Sequence, residues 1–598
     1  MRERYPSLEL IRVIIAASPR LAPITAVLML LQGILPSATA ALSGILIGEL
    51  ISTNASTRVL GPMLGLAGLF ILQQFVAMLR LAVCETVSTR TKAVATTRLM
   101  RAVQAPRTIA HLEDPAMLDL ITRARGRGWI TMENVAFAFL NQQTTRLQGV
   151  VALVLIAQFQ PLLAPLVFAG FLFRNAMLAR AQAQMMGVSA QRARVLRGAD
   201  YLRDLALQPA AAKELRVFGL SSWLVDRFER TWLASMGELW RQRPHLARML
   251  VYGSLPVVAA ACLSIAAMAA SVAAGQVTIA QLMVYGQALA IAFRTMGFFS
   301  GDENILEEGL ISLPPLLQLE QLVPTRRELQ LSGTTAADGL PSREIRFEHV
   351  SFRYPGQARD VLHDLNLYLP AGTSTAIVGD NGAGKTTLIK LLCRLYEPTD
   401  GRISVDGIPL TQLDAIGWQR RTATLFQDFQ RYALSAADNV GFGQIERLHH
   451  RGALVAAAED ARALEIIGNL PRAWETMLSR QYTGGVDLSG GEWQRIAMAR
   501  ALLAAERDRA VLILDEPTAQ LDVRGEAAFY DRFLDLTRGK TTVIISHRFS
   551  TVRRADTILV LRDGQIAERG SHDELMALDG RYAQLFKLQA SRFDEVAS

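Results

Sequence analysis

The chain has 598 residues, which excludes a single small module and allows about four compact units or fewer at roughly 150 residues each. Half of its residues are hydrophobic, 20% are charged and the mean hydropathy is +0.21, which excludes a disordered chain and an ordinary soluble one. The 63 Lys and Arg against 55 Asp and Glu leave a net charge of +8, and the three separated cysteines, Cys84, Cys262 and Cys393, exclude a disulfide framework or a structural zinc site.

Uncharged runs set the first half of the chain. Leu21 to Gly48 has 28 residues, Val59 to Leu79 has 21, Leu147 to Phe173 has 27 and Met249 to Phe293 has 45, whereas a bilayer core needs about 20 per helix. The longest run divides at Ala274-Gly275-Gln276, and the 27-residue run divides at Gln158-Phe159-Gln160-Pro161 if its two spans reach past Arg146 and Arg174. The expectation is therefore six spans, at about 21–48, 59–80, 134–157, 161–181, 249–273 and 277–299, within a transmembrane domain of residues 1–323. The alternative is one long span in the fourth run and five in all.

Charge orients these spans. Glu85 to Glu133 carries eight basic residues, Arg90, Lys92, Arg98, Arg101, Arg107, Arg123, Arg125 and Arg127, while the turns near Asn54, Gln160 and Gly275 carry almost none. Basic loops stay in the cytoplasm, so both termini are expected there, and the excess charge needs no nucleic acid to explain it. The long polar intervals 80–133 and 181–248 keep a helical pattern and read as spans that continue into the cytosol and return. Nothing in the first 20 residues resembles a cleaved signal peptide. Gln32, Gln73, Gln74, Gln148, Tyr252, Gln281, Tyr285, Gln287 and Arg294 are candidates to line a moderately polar cavity, with Arg146, Arg174 and Arg294 the costly charges.

The composition changes near Pro324. Residues 324–341 are short and polar and read as a linker, and no later uncharged stretch approaches span length, so residues 342–598 are expected to form a soluble domain. There Ser374-Thr375-Ala376-Ile377-Val378 reads as a buried strand, followed by GDNGAGKTT and a helical Leu388 to Leu392. That is the order a phosphate-binding loop requires. Gly379, Gly382 and Gly384 let the backbone wrap closely, Lys385 adds a point charge, and the Thr386 hydroxyl can ligate Mg²⁺.

A second strand, Val511 to Leu514, ends in Asp515-Glu516, two carboxylates at the edge where ligands of parallel sheets gather. Asp515 suits a Mg²⁺ contact through water, and Glu516 suits polarising an attacking water. Leu488-Ser489-Gly490-Gly491-Glu492-Trp493-Gln494 precedes the helical run Arg495 to Leu503, which makes Ser489 a helix N-terminus: a second anion site, or an ordinary capping box with Glu492.

These residues together resemble the ATP-binding cassette superfamily, specifically an exporter-type half-transporter with six spans fused ahead of one cassette. The resemblance implies a helical transmembrane domain followed by an α/β P-loop NTPase domain with a helical subdomain, and ATP and Mg²⁺ as cofactors. It makes Gly379, Asp380, Asn381, Gly382, Ala383, Gly384, Lys385, Thr386 and Thr387 the Walker A loop, Asp515 and catalytic Glu516 the end of Walker B, and Ser489, Gly490 and Gly491 the signature. It further makes Gln427 the Q-loop residue that reaches Mg²⁺, Asp522 the D-loop carboxylate, His547 the switch histidine and Tyr354 the aromatic that stacks on adenine. The D-loop reads Ala519-Gln520-Leu521-Asp522 where Ser-Ala-Leu-Asp is commoner, and Tyr482 to Asp487 departs from the pattern of many drug exporters. Two coupling helices are implied near 114–121 and 208–215.

The implied activity is ATP-driven export across the plasma membrane by alternating access in a dimer, because a signature helix in this architecture completes the P-loop of the opposite chain. A homodimer is favoured over a heterodimer, since Lys385, Glu516, Ser489 and His547 are all present in one chain. The substrate stays open between peptide, drug-like compound and lipid, with a lipid flippase or a dedicated natural-product or peptide exporter as alternatives. An ATP-gated channel or regulator is the alternative of another class, against which Glu516 argues. On this topology, impermeant thiol labels at cysteines replacing Asn54 and Gln276 should react from outside intact cells, and labels at Arg123 and Lys213 should not; the reverse pattern would overturn the orientation.

Overall fold

The computed structural model describes residues 6–51, 59–125, 131–209, 211–296, 301–325, 333–506, 511–516, 537–546 and 552–588. Asn54, Arg127 and residues 326–332 of the expected linker lie outside them. Two compact units are distinguishable: Met1–Arg98 with Arg123–Pro314, and Leu99–Thr122 with Pro315–Ser598.

The first unit is helical. Its long helices are Leu21–Ile51, Leu60–Gln104, Met132–Phe159, Leu163–Leu207, Ser221–Ala273 and Ile279–Met296. Among the described residues, four segments are long and apolar enough to cross a membrane: Leu21–Ile51, Leu60–Gln104, Leu163–Arg180 and Arg243–Ala273. Met132–Phe159 and Ile279–Met296 fall outside that set because polar residues interrupt them, among them Asn141, Gln142, Thr144 and Gln148 in the first and Gln281, Gln287 and Arg294 in the second.

Burial differs most between Leu60–Gln104 and Met132–Phe159. Leu60–Gln104 leaves Phe70, Ile71, Phe75 and Met78 more than half exposed, apolar surface of the kind that meets lipid or another protein. Met132–Phe159 instead turns Val135, Ala138, Ala152 and Ile156 inward, and the last two pack with Ala288, Leu289 and Ala292 of Ile279–Met296.

Two of the glutamines named as candidates to line a cavity tie helices together. Gln148 Nε2 donates to the Gln32 carbonyl at 3.0 Å, and Gln287 Nε2 donates to Ser43 Oγ at 2.9 Å. Arg80, only 9% exposed, donates to the Gln32 side chain and, at 3.3 Å, to Asn141 Oδ1, while Asn141 donates to Asp302 Oδ2 at 2.5 Å. A polar side chain removed from water needs such partners, and neighbouring helices are where they are to be found.

The second unit holds two sheets. A four-stranded antiparallel sheet has the order β2-β1-β4-β5, from β1 (Glu344–Phe352), β2 (Leu362–Pro370), β4 (Asp400–Val405) and β5 (Ile408–Pro409). A six-stranded sheet has the order β10-β9-β3-β8-β7-β6, from β3 (Ser374–Gly379), β6 (Thr422–Leu425), β7 (Val511–Asp515), β8 (Thr541–Ile545), β9 (Thr557–Arg562) and β10 (Gln565–Gly570). All neighbours in it are parallel except β9 and β10. The β7 and β8 strands are buried along their whole length, which is why they read as continuous apolar runs rather than alternating ones. A helical subdomain, Ala436–Gly441, Arg451–Asp460, Leu464–Gly468 and Gly490–Ala505, closes over β6 and β7 through a core that includes Ala457, Trp493 and Ile496.

Two expectations change at this level. The later part of the expected linker is built into the second unit: the Thr335 N–H donates to the Gln412 carbonyl at 2.9 Å, the Asp414 N–H donates to the Thr335 carbonyl at 2.7 Å, and Ala337 is buried with Ile345 and Trp418. Its small polar residues suit an edge bridge as well as a tether, so composition alone did not separate the two. The short helix expected at 208–215 is Ala212–Val217, because Leu163–Leu207 ends just before Gln208-Pro209, where the pyrrolidine ring disfavours helix in the residue ahead of it. The first such segment consists of Ala110–Glu113 and Pro115–Arg125. Trp418 is fully buried, with its indole N–H donating to the Leu392 carbonyl at 2.8 Å. Trp418→Ala should cost the second unit about 3–5 kcal/mol, read as a lowered unfolding midpoint of that unit; an unchanged midpoint would show that this side chain does not hold the P-loop helix to the core.

Candidate functional site

Register places four of the expected site residues on one edge. Leu425 of β6 aligns with Leu514 of β7, Leu514 with Ile544 of β8, and Ile544 with Ala376 of β3. Gln427, Asp515, Glu516 and Gly379 each follow that line by one to three residues, at the carboxyl end of the parallel strands.

The loop after β3 is shaped by close approach. A Cβ on Gly379 would sit 2.2 Å from the Leu561 carbonyl oxygen, and one on Gly384, whose φ is +101°, would sit 2.7 Å from Leu362 Cδ2. The P-loop helix, Lys385–Leu392, begins directly after Gly384 and anchors Leu388, Ile389, Leu391 and Leu392 in the core. Lys385 folds back so that Nζ donates to the carbonyls of Gly379 at 2.8 Å and Asp380 at 2.9 Å. Burial lowers the pKa of its ammonium, opposed by Glu516, Asp515 and Asp380. These carbonyl contacts keep a half-buried cation satisfied in a loop whose first helical N–H groups point the same way.

Thr386 Oγ1 donates to Asp515 Oδ2 at 3.1 Å, joining the loop after β3 to the end of β7. Asp515 is 2% exposed, and burial pushes its pKa up to about 6; Glu516 and Asp428 push the same way, against the Thr386 hydrogen bond and Lys385. A buried carboxylate that its surroundings meet so incompletely, beside a hydroxyl oxygen, fits a hard divalent cation such as Mg²⁺, which takes one or two protein oxygens and completes its shell with water and phosphate. Glu516 follows with φ +50°, its N–H donating to the Ile545 carbonyl at 3.0 Å and its Oε2 accepting from Gln427 Nε2 at 3.0 Å. A non-glycine residue in that backbone region is held there by its surroundings, a pattern found at functional positions.

Tyr354 lies two residues past the end of β1. Its hydroxyl is 3.1 Å from Thr387 Oγ1, its ring meets Phe352 and Tyr396 edge to face at centroid distances of 5.0 and 5.5 Å, and Lys390 Nζ stands 5.1 Å from its centroid. Asp380, Asn381 and Gly382 are exposed. Arg581 Nη2 donates to both carboxylate oxygens of Asp380 at 3.1 Å, a partner two hundred residues away that no local signal in the sequence announced.

Ser489 caps Gly490–Ala505, and the capping box forms: the Ser489 N–H donates to Glu492 Oε2 at 2.8 Å, and Ser489 Oγ accepts from the Glu492 N–H at 3.4 Å. Ser489 itself is exposed, Gly490 and Gly491 are half-buried, and the helix behind them belongs to the core of the helical subdomain, not to the core that holds Lys385–Leu392. Asp522 and His547 lie outside the described residues. An open hollow of about 880 Å³, lined by Arg346, His349, Tyr368, Arg402 and Arg569 among others, lies on the antiparallel sheet and contains none of the expected nucleotide residues.

Comparison with known proteins follows the same division. The ABC transporter family model matches residues 362–519. The ATP-dependent lipid A-core flippase of Xanthomonas campestris pv. campestris (strain 8004) is 32% identical over 456 residues, covering 75% of this chain and 73% of that protein. The subtilin transport ATP-binding protein SpaT of Bacillus subtilis is 30% identical over 380 residues, 63% of this chain and 60% of that protein. The lipid A-core flippase of Legionella pneumophila (strain Paris) is 42% identical over 246 residues, so the chain spans 40% of that relative's length. A solved bacterial Atm1-family ABC exporter with ATP bound superposes with a TM-score of 0.74 at 25% identity, covering 96% of this chain and 99% of that one. Since a Cβ at position 379 would meet backbone rather than a yielding side chain, Gly379→Ala should displace the phosphate loop and weaken binding of a fluorescent ATP analogue at least tenfold while the helical unit stays folded; unchanged affinity would count against the loop as the phosphate site.

Proposed function

This chain belongs to the ABC transporter family, and we propose that it works as one half of an ATP-driven exporter, two copies pairing head to tail in the plasma membrane with their termini in the cytoplasm. One observation carries the reading: Lys385, Thr386, Gln427, Asp515 and Glu516 converge on one strand edge, while Ser489 stands exposed on a helix built into a different core. The first group can grip and hydrolyse a nucleotide; the second is free to meet a nucleotide from outside its own chain.

In this reading Lys385 exchanges its carbonyl partners for the β- and γ-phosphates, a swap between acceptors that leaves the ammonium satisfied throughout. Thr386 and Asp515, with Gln427 at the rim, are the residues that would hold Mg²⁺, which would supply positive charge against the developing phosphate charge. Glu516, now accepting from Gln427, turns to the attacking water, orients it and draws on its proton. Tyr354 packs against adenine, and His547 and Asp522 complete the site from the segments after β8 and β7. Ser489, Gly490 and Gly491 of the partner close on the γ-phosphate with a helix N-terminus.

Six spans, at about 21–48, 59–80, 134–157, 161–181, 249–273 and 277–299, form the translocating half in this proposal, in a domain of residues 1–323. The polar interruptions of Met132–Phe159 and Ile279–Met296 are consistent with helices that keep one face away from lipid. For cargo we favour a lipid or a peptide, because relatives bear the names lipid A-core flippase and subtilin transport protein. A homodimer is preferred, as the sequence of one chain carries Lys385, Glu516, His547 and the signature Ser489 together.

Glu516→Gln tests the reading most sharply, since it keeps shape and removes the charge that draws on the proton. Turnover should fall at least a hundredfold with ATP still bound, and the unhydrolysed nucleotide should favour cross-links between cysteines beside Lys385 of one chain and Ser489 of the other. Lys385→Ala should lose ATPase without such trapping. Normal hydrolysis by Glu516→Gln, or cassettes left apart by ATP, would remove both the catalytic assignment and the head-to-tail dimer.

A further inference from the structure

Lys390 sits one turn beyond Thr386 and Thr387 on the P-loop helix, half-buried between Tyr354 and two groups that the nucleotide chemistry above does not use, Glu113 and Tyr396. Its ammonium is 3.7 Å from Glu113 Oε1, 5.1 Å from the ring centroid of Tyr354 and 5.7 Å from that of Tyr396. Glu113 closes the short helix Ala110–Glu113, in the segment Leu99–Thr122 that belongs to the second compact unit. That segment is fixed there by backbone: the Ile109 N–H donates to the Leu395 carbonyl at 3.1 Å, Gln419 Nε2 donates to the Arg107 carbonyl at 3.1 Å, and Ile109 and Ala110 pack on the core beside Tyr354.

One cation thus serves a carboxylate and two aromatic rings. Its attraction to a ring face depends on where the ammonium stands, and Glu113 is the charge that helps to set its place. Tyr354 is held twice, by Lys390 at its ring and by Thr387 at its hydroxyl. Tyr396, the second ring, is kept in its neutral form by burial first and by the Glu113 carboxylate next, so a carboxylate, an ammonium and two neutral rings form one electrostatic group.

We propose that Lys390 is a positioning residue that ties Tyr354 to Glu113, so that base stacking and the docking of segment Leu99–Thr122 stabilise one another. The proposal rests on the reading of Tyr354 as the base-stacking aromatic and of the chain as an ATPase. Its physical content is a preorganised ring: a base meets Tyr354 already oriented, and loss of either Lys390 or Glu113 lets the ring sample other positions before the base can stack. By linkage, a base that favours the held ring also favours Glu113 at Lys390. The phosphates, gripped by the loop and Lys385, are indifferent to the tie.

The test compares ATP with inorganic tripolyphosphate on the full-length protein in lipid nanodiscs. Lys390→Gln should raise KM for ATP three- to tenfold with kcat held within twofold, and should leave the inhibition constant of tripolyphosphate unchanged. Lys390→Arg should restore most of the ATP affinity, because a guanidinium keeps both the charge and the cation–π contact. Glu113→Gln should raise KM in the same direction, and combining it with Lys390→Gln should add little to the lysine variant alone. An unchanged KM in Lys390→Gln, an equal loss of tripolyphosphate affinity, or full additivity of the two substitutions would each overturn the tie. If Lys390→Gln does not fold, the exposed Glu113→Gln carries the same comparison, and an unchanged KM there is equally decisive. Failure of the underlying reading looks different: wild-type protein without ATPase, or Tyr354→Ala with unaltered KM, removes the base site itself and the tie with it.

Discussion

The hydrogen bond from Thr386 to Asp515 joins the two halves of the candidate site. It links the first turn of the P-loop helix to the end of a strand that is buried along its whole length, across the intervening strand β8. Parallel strands in register end together, and a buried edge offers few places for polar groups, so those present are drawn into one another's reach. Lys385 on its own loop carbonyls, Gln427 on Glu516 and the left-handed turn at Glu516 all follow from that crowding. Displacing the edge would therefore move every group that the nucleotide chemistry needs, whereas the capping box at Ser489 would be untouched.

Much of this edge was legible in the sequence because its signals are local. A buried apolar run followed by glycines and a lysine predicts a strand, a wrapping loop and a helix, and the structure has β3, the loop and Lys385–Leu392 in that order. Ser489 followed three residues later by Glu492 predicts a cap, and both bonds of the box are present. What the sequence did not disclose depends on residues far apart in the chain. Arg581 on Asp380, Lys390 beside Glu113, and Arg80 with Asn141 and Asp302 each join positions separated by 61 residues or more, and neither periodicity nor spacing encodes such pairs. The later part of the expected linker was ambiguous for a different reason: a short polar stretch can be a tether or an edge bridge, and at Thr335 the partners Gln412 and Asp414 make it a bridge.

The helical unit shows how composition and packing divide the same work. Leu60–Gln104 satisfies a length and hydropathy criterion and leaves large apolar side chains exposed, while Met132–Phe159 fails that criterion and buries Val135, Ala138, Leu140, Ala152 and Ile156, though Val150 and Val154 stay exposed. A helix that meets lipid must be apolar on its outside; one enclosed by other helices is free to carry glutamine, asparagine and threonine, provided each finds a partner. Hydropathy alone thus undercounts the helices of a bundle in which some line the interior. Two of the glutamines that suggested a cavity are partners of this kind, Gln148 to Gln32 and Gln287 to Ser43.

The placement of Ser489 supplies the last step. A capped helix N-terminus already has one of its N–H groups taken by the serine, yet the remaining first-turn donors and the helix dipole still favour an anion in front of it. In a single chain that anion would have to come from a P-loop anchored in another core, behind a different set of strands. In the proposed dimer, a second copy related by two-fold symmetry would bring an identical P-loop to each exposed cap, and because such a contact is isologous the two nucleotides would be buried together or not at all. Such an arrangement makes nucleotide binding and association one event. It turns two modest anion sites, each common in proteins, into a clamp whose closing and opening can be handed on to whatever is docked against the cassette, of which the segment carrying Glu113 is the part seen here.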